Sequence, residues 1–351
     1  MKILAIDIGA GTQDILFYNS DKELENSIKL VLPSPPVIIV EKIKKQTAKG
    51  KDLYFDGTIM GGGKIKGTIV EHVEKGYNVA MEKQAARTIK DNLKVVENLG
   101  VEIVEDNSYD YDPKYHNYSK ITLNDINIAD LSSTISKYDI NFNFDKIAVA
   151  AQDHGFSDHM GDRDFRFEKI RERLIKPMNV EEFAFDKNVP NYFSRMEAIE
   201  ETLSNYDPII MDSKFASVCG ACQDREIAKL NSFVVMDIGN GHTMAASIEN
   251  NKIQGVFEHH SSSLNPKKIE YLIKKLVNGT ITHEEVHGDN GHGAHVINPI
   301  SKLEKVVVTG PRREIIKKTN LDYYNASPGG DVMMTGPVGL IKSVEYLNNK
   351  N

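Results

Sequence analysis

Tryptophan is absent from the chain, cysteine occurs only twice, and no apolar run approaches the ~20 residues that a membrane-spanning helix needs. Two cysteines exclude a disulfide framework, and alone they cannot hold a zinc ion or an iron–sulfur cluster. They are expected to be free thiols, or metal ligands, in a reducing compartment. Positive charge is also short. Lys and Arg total 43 against 50 Asp and Glu, a net charge of −7, which excludes an electrostatic binder of nucleic acid or of anionic membrane. The basic clusters Lys42-Ile-Lys-Lys45 and Lys64-Ile-Lys66 are brief and offset by neighbouring acids, as on a solvated surface. Met1-Lys2 leads straight into an apolar strand with no signal peptide, so a cytoplasmic protein is expected. A length of 351 residues allows two domains.

What the chain does have is one stretch written twice. Ile3-Leu-Ala-Ile-Asp-Ile-Gly-Ala-Gly-Thr-Gln-Asp14 returns as Phe233-Val-Val-Met-Asp-Ile-Gly-Asn-Gly-His-Thr243. Each copy is a short β-branched run, read as a buried strand, that ends in Asp-Ile-Gly-x-Gly and a hydroxyl residue. A second apolar run follows each, which predicts a strand–turn–strand hairpin. Glycines in such a turn are expected to supply positive φ and let an anion approach the backbone amides. The N–H groups and the Thr12 and Thr243 hydroxyls can then donate to phosphate oxygens. Asp7 and Asp237, at the strand ends, can hold a hydrated Mg²⁺ that bridges phosphates. Gly9, Gly11, Thr12 and Gln13, with Gly239, Asn240, Gly241, His242 and Thr243, complete the expected contacts.

The pair resembles the two phosphate hairpins of the superfamily that includes actin, Hsp70-type chaperones, hexokinase and the sugar and acetate kinases. Lys305-Val-Val-Val-Thr-Gly-Pro311 resembles that superfamily's adenosine motif, and places Thr309, Gly310 and Pro311 at the base. The resemblance implies an α/β fold of two lobes, with duplicated ribonuclease H-like β-sheet and helix domains around a central nucleotide cleft. The lobes are expected at 1–150 and 151–351, with a terminal helix over 328–347 packing back toward the hinge. It implies ATP and Mg²⁺ as cofactors, and a phosphotransferase or ATPase as the activity. Within the superfamily the chain is most similar to a family of uncharacterised, mostly archaeal proteins labelled as pyruvate formate-lyase-activating. Gly61-Gly-Gly63, Ala151-Gln-Asp-His-Gly155, Glu258-His-His260, Gly291-His-Gly293 and Thr309-Gly-Pro-Arg-Arg313 carry that likeness. The three-cysteine motif of a radical activase cannot be made from two cysteines.

Other stretches carry chemistry of their own. Gln152 and Asp153 leave a strand where the resemblance expects the inter-domain crossing, so they could orient a water or accept a proton. Asp212, ahead of a helix, is the second candidate base. Gly62 and Gly63 sit between a strand and a helix, where amides could hold a ligand. His154, His242, His259, His260 and His292 are expected to face the cleft and meet an anionic or metal-bearing substrate. Arg163 and Arg166 could clamp an anion or form local salt bridges. His283-Glu-Glu-Val-His287 matches the zinc-protease pattern, but Gly288 breaks the helix and Thr282 with Glu285 also makes a capping box. Cys219-Gly-Ala-Cys222 leaves a runner-up open, an ATP-driven activator of a partner metalloenzyme with a cluster bridged across a homodimer. Helices are read over 65–75, 82–99, 126–136, 167–175, 195–203 and 266–277, and strands over 27–32, 37–40 and 52–55.

Overall fold

The computed structural model describes residues 1–350. Three strands open the chain: β1 (Lys2–Ile8), β2 (Thr12–Asn19) and β3 (Ile28–Pro33). Next come β4 (Leu53–Gly57), β5 (Val79–Glu82), β6 (Val101–Val104) and β7 (Ser119–Leu123), then β8 (Lys146–Ala151), β9 (Phe185–Asp186) and β10 (Ile209–Met211). The last six are β11 (Ser232–Ile238), β12 (His242–Glu249), β13 (Lys252–His260), β14 (Gly293–Val296), β15 (Val306–Thr309) and β16 (Tyr323–Asn325). They make three sheets, in the orders β3-β2-β1-β8-β10-β9, β14-β13-β12-β11-β15-β16 and β6-β5-β4-β7.

The first two sheets share one wiring. A three-strand antiparallel meander is extended by a parallel strand beside its first member, β8 beside β1 and β15 beside β11. That is the duplicated ribonuclease H-like plan expected above. Each sheet is buried on both faces, so its strands read as unbroken apolar runs. Ile3 and Ala5 join a core shared with Phe233 and Val235, whereas Leu4, Ile6 and Ile8 face an outer layer. The shared core between the sheets is filled by the helices Ser213–Ala221 and Thr335–Lys350. The terminal helix packs against β1, β2 and β8 and begins at Thr335 after two 3₁₀ turns.

Small residues let those two central helices touch. A Cβ on Gly339 would collide with the backbone of Ala216 and Gly220, and one on Gly220 with the carbonyl of Thr335. Gly339→Ala should therefore cost about 1–3 kcal/mol through overpacking, read as a lowered urea midpoint with an unchanged slope. An unchanged midpoint would mean that the crossing yields freely.

Several expectations are corrected. A division at 150/151 cuts the first sheet, because β9 and β10 lie beyond it and β10 pairs with β8. Residues 37–40 are helical, inside Pro35–Ala48, where the paired prolines occupy the first turn and Ile39, Val40 and Ile43 form the buried face. The long helix over 82–99 is two short ones, Lys83–Arg87 and Leu93–Glu97, the second restarted by Asn92, whose side chain accepts from the Lys94 N–H. The four-stranded parallel sheet β6-β5-β4-β7 is a separate layer, with its own core of Ile43, Leu53, Phe55, Ile69 and Met81, inserted between β3 and β8.

Candidate nucleotide site

The two hairpins meet face to face. In each, the first glycine N–H donates to a backbone carbonyl across the turn, Gly9 to Thr12 at 2.9 Å and Gly239 to His242 at 3.1 Å. A Cβ on Gly11 would stand 3.1 Å from the Asn240 amide nitrogen of the opposite hairpin. None of these four glycines has positive φ, contrary to expectation. Gly239 is needed for close approach instead, since a Cβ there would press to 2.6 Å from the Lys214 ammonium, whereas one on Gly241 would meet nothing. Between the hairpins lies a cleft of about 440 Å³ lined by Asp7, Gly9, Gly11, Thr12, Asp14, Asp237, Gly239, Asn240, Gly241 and His242.

Three carboxylates and one ammonium stand where the hairpins meet. Lys214 Nζ donates to Asp237 Oδ2 at 2.6 Å, and both side chains are buried. Asp7 and Asp14 are directly opposite in the β1–β2 ladder and so share a face. Each has an Oδ1 that is buried and unpartnered. Burial, then Asp14 and Asp237, push the Asp7 carboxyl up to about 8 despite a bond from Ser213. Burial raises Asp14 to about 7 despite a bond from Thr12, with Asp331 adding to the rise. Orphaned carboxylate oxygens beside a phosphate-shaped turn fit a hydrated Mg²⁺, which takes oxygen ligands and keeps its waters. The sequence reading missed both Asp14 and Lys214. Asp14 was legible from hairpin register; Lys214 meets Asp237 only through tertiary packing.

Other expected contacts divide by strand parity. Gln13 turns away, its amide donating to the Pro33 carbonyl at 3.1 Å. Thr243 is fully buried and bonds Ser261 at 2.9 Å, so only Thr12 of the two hydroxyls lines the cleft. Thr309, Gly310 and Pro311 line it too. Thr309 is bonded to Thr335 of the terminal helix at 2.9 Å, and Gly310, at φ 88°, backs onto Asp237. The segment after this motif is a 3₁₀ run, Arg313–Lys318. Gly62 and Gly63 form part of a wall supplied by the inserted sheet, with Gly63 at φ 46° and the Gly61 N–H directed at Asp125.

Both candidate bases are already employed. Asp153 lines the cleft, yet its oxygens accept from the N–H groups of Gly155 (2.8 Å), Arg195 (2.9 Å) and Met196 (3.1 Å), tying β8 to the start of the helix Ser194–Thr202. Asp212 lies outside this cleft and caps the helix Ser213–Ala221. It receives Arg166 in a fork, Nη1 to Oδ2 at 2.7 Å and Nη2 to Oδ1 at 3.1 Å. Arg166 Nε also donates to Glu258 Oε2 at 2.7 Å, so the anion-clamp reading of Arg166 gives way to a buried ion pair joining the lobes. Burial opposes the charge on Glu258, but Arg166 and then the nearby imidazoles hold its carboxyl far below the usual range. Arg163 is occupied by Asn290 and Gly291. Gln152 faces the cleft and bridges, donating to Glu258 Oε1 at 2.7 Å and receiving His242 Nδ1 at 2.9 Å.

The histidines separate into two groups. His242 pairs with His260 across β12–β13, which puts both on the Glu258 face. The rings of His154, His242, His260 and His292 cluster there, with His154 Nε2 and His292 Nε2 3.1 Å apart. His259 points the other way, to Asp289 at 3.1 Å, and of the five histidines expected at the cleft only His154 and His242 line it, not His259, His260 or His292. The zinc-protease pattern lies on the short helix His283–Gly288 with its Glu284 exposed, and the one group of three imidazoles close enough to share an ion among the described residues lies elsewhere. His287 is 2.9 Å from Asp164. Cys219 is 1% exposed in the inter-lobe core and burial raises its thiol; burial also lifts Cys222 to about 12. Cys219 lies inside the core, whereas Cys222 is partly exposed.

Residues 60–315 match the sequence family described as "Putative pyruvate format-lyase activating enzyme (DUF1786)". The chain belongs to this family. The match spans the glycine wall, the second hairpin and the adenosine motif. None of the curated proteins matches in sequence. Among solved structures the chain is similar to ethanolamine utilization protein EutJ from Carboxydothermus hydrogenoformans, at 11% identity over 97% of this chain and 89% of that one, TM-score 0.33. It is also similar to the activator of 2-hydroxyisocaproyl-CoA dehydratase from Clostridium difficile, at 10% over 99% and 98%, TM-score 0.36. A third is the ROK hexokinase from Thermus thermophilus, at 10% over 99% and 100%, TM-score 0.31. No helix among the described residues is long and apolar enough to cross a membrane.

Proposed function

We propose that the protein binds ATP with Mg²⁺ between its two hairpins and is a phosphotransferase or ATPase. The observation that carries this reading is the unpartnered Asp7 Oδ1, buried at the meeting point of two glycine turns and beside the Lys214–Asp237 pair. A bound Mg²⁺ would neutralise phosphate charge and fix its geometry. Asp7 and Asp237 would hold it through water, with Asp14 beside them. The turn amides and Thr12 would take phosphate oxygens, and Thr309, Gly310 and Pro311 would floor the adenosine end. Lys214 sets the position of Asp237 and adds positive charge at the phosphates. Gln152 is the side chain best placed to orient an acceptor or a water, since its amide is pinned at both ends.

Asp153 and Asp212 are assigned to positioning instead of proton transfer. Asp153→Asn should therefore lower thermal stability as well as turnover, because an amide cannot accept at both ends from three N–H donors. A variant with wild-type melting and turnover reduced roughly 10²–10⁴-fold would restore Asp153 as the base. Calorimetry with ATP, ADP and GTP in the presence of Mg²⁺ tests the whole reading. Saturable binding of a purine nucleotide that depends on Mg²⁺ is expected, and no heat and no thermal shift from any of the three would overturn it. The activator reading with a bridged cluster loses support from the burial of Cys219.

A further inference from the structure

The nucleotide reading leaves three imidazoles unused. His154 follows β8, His242 begins β12 and His292 precedes β14, and one ring nitrogen of each lies within 4.8 Å of those of the other two. We propose that His154, His242 and His292 form a site for a divalent transition metal ion of the zinc class, opening on the cleft beside the second hairpin.

Four observations converge on it. The first is distance. The two Nε2 atoms of His154 and His292 stand 3.1 Å apart, and two nitrogens bound at 2.0–2.1 Å to one tetrahedral ion are separated by about 3.3 Å. The second is tautomer control. Glu258 is fully buried and held anionic by Arg166, so it can only accept. It therefore takes the Gln152 amide N–H, which turns the Gln152 oxygen toward His242 Nδ1. His242 must then carry its proton on Nδ1 and keep its Nε2 lone pair free, the outer arrangement that orients a metal-binding imidazole.

The third is an unmet need. His292 is 0% exposed, and its Nε2 faces only another imidazole nitrogen, His154 Nε2. A stack of imidazoles kept only for packing would be a poor use of buried polar atoms. The fourth is charge. One Arg166 stands against both Asp212 and Glu258, so the shell behind the imidazoles carries one surplus negative charge.

The donor set indicates what the ion would do. Three neutral imidazoles suit zinc, iron, nickel or copper and not magnesium. They leave the ion its full charge and a coordination position for an outside ligand. His154 and His242 line the cleft, so that position faces it, with His260 alongside at ring distances of 5.0 and 4.9 Å from His242 and His292. The ligand expected there is an oxyanion, carboxylate or phosphate. Where the nucleotide reading also holds, it would be the group at the far end of the triphosphate.

The test uses full-length protein stripped with a chelator, without nucleotide. Zn²⁺ titration against a chromophoric chelator should give one equivalent, and Co²⁺ should give the visible bands of a four-coordinate site that shift on adding acetate or inorganic phosphate. His154→Gln and His242→Gln should abolish the bands while circular dichroism stays that of wild type. Gln152→Leu should weaken binding roughly 10–100-fold as loss of the orienting partner. Asp7→Asn should leave the bands intact, which separates this site from the Mg²⁺ site. No stoichiometric Zn²⁺ or Co²⁺ binding, or binding indifferent to His154→Gln and His242→Gln, overturns the proposal even if ATP–Mg²⁺ binds. Bands that ignore both anions overturn the open position.

Discussion

Arg166→Met is expected to destabilise the protein by about 3–5 kcal/mol, the cost of stripping the partner from buried charges. The guanidinium meets Asp212 and Glu258 and also donates to the Asp153 carbonyl at 2.8 Å, and its side chain is 3% exposed. Glu258 is completely buried, so the variant strands a carboxylate that water cannot reach. The sign of the pH dependence identifies the cause. In the wild type the Glu258 carboxyl is depressed, so its contribution is present above the unfolded value of 4.5 and fades as pH falls below it. Without Arg166, burial alone raises that carboxyl, and the stability it contributes is lost as pH climbs. Urea unfolding of the variant should thus show a deficit that shrinks from pH 7 to pH 5, and adding Glu258→Gln should recover part of it. A deficit independent of pH and indifferent to Glu258→Gln would show that shape, not charge, was lost.

Asp7→Asn should have opposite effects with and without ligand. In the free protein Asp7 faces Asp14 and Asp237, with Lys214 and Ser213 as its favourable neighbours, and its carboxyl sits at about 8. A raised acid favours the folded state while protonated, so that stability is full below 3.8 and is lost as pH rises to about 8. The amide escapes this loss, and at pH 8 the free variant should melt at or above the wild type. With Mg²⁺ and ATP the order reverses. Losing one charge-assisted partner removes about 1.5–3 kcal/mol, or roughly 10–100-fold in affinity. If Mg²⁺ binds as proposed, it would displace the Asp7 proton in the wild type, and apparent affinity should rise up to about tenfold per pH unit below that value. Differential scanning fluorimetry and calorimetry across pH 6–9 would read both halves. Nucleotide affinity unchanged in Asp7→Asn would remove Asp7 from the metal site.

Much of this arrangement is written in short-range pattern. Two apolar runs ending in Asp-Ile-Gly-x-Gly specify hairpins, and the hairpins specify a cleft, because each element is consistent with its own local chemistry. Parity within a strand was legible and unused. Thr243 and His259 are cross-strand partners on the face away from His242 and His260, so with His242 at the cleft both had to miss it. The prolines at 35 and 36 outweighed the β-branched run behind them. Other features have no local signature. Lys214 reaching Asp237, Arg166 spanning two sheets, and the separate sheet built from β4 to β7 all depend on partners distant in sequence.

The wiring of the terminal helix also has a consequence for biosynthesis. Thr335–Lys350 covers the face of β1, β2 and β8 that looks into the shared core. β1 is made long before that helix, and until Thr335–Lys350 emerges the part of the face it covers has no partner. The first lobe therefore cannot complete its fold ahead of the second. Between the making of β1 and of that helix, the nascent chain carries part of an apolar sheet uncovered, and that is the interval in which a holding chaperone would matter.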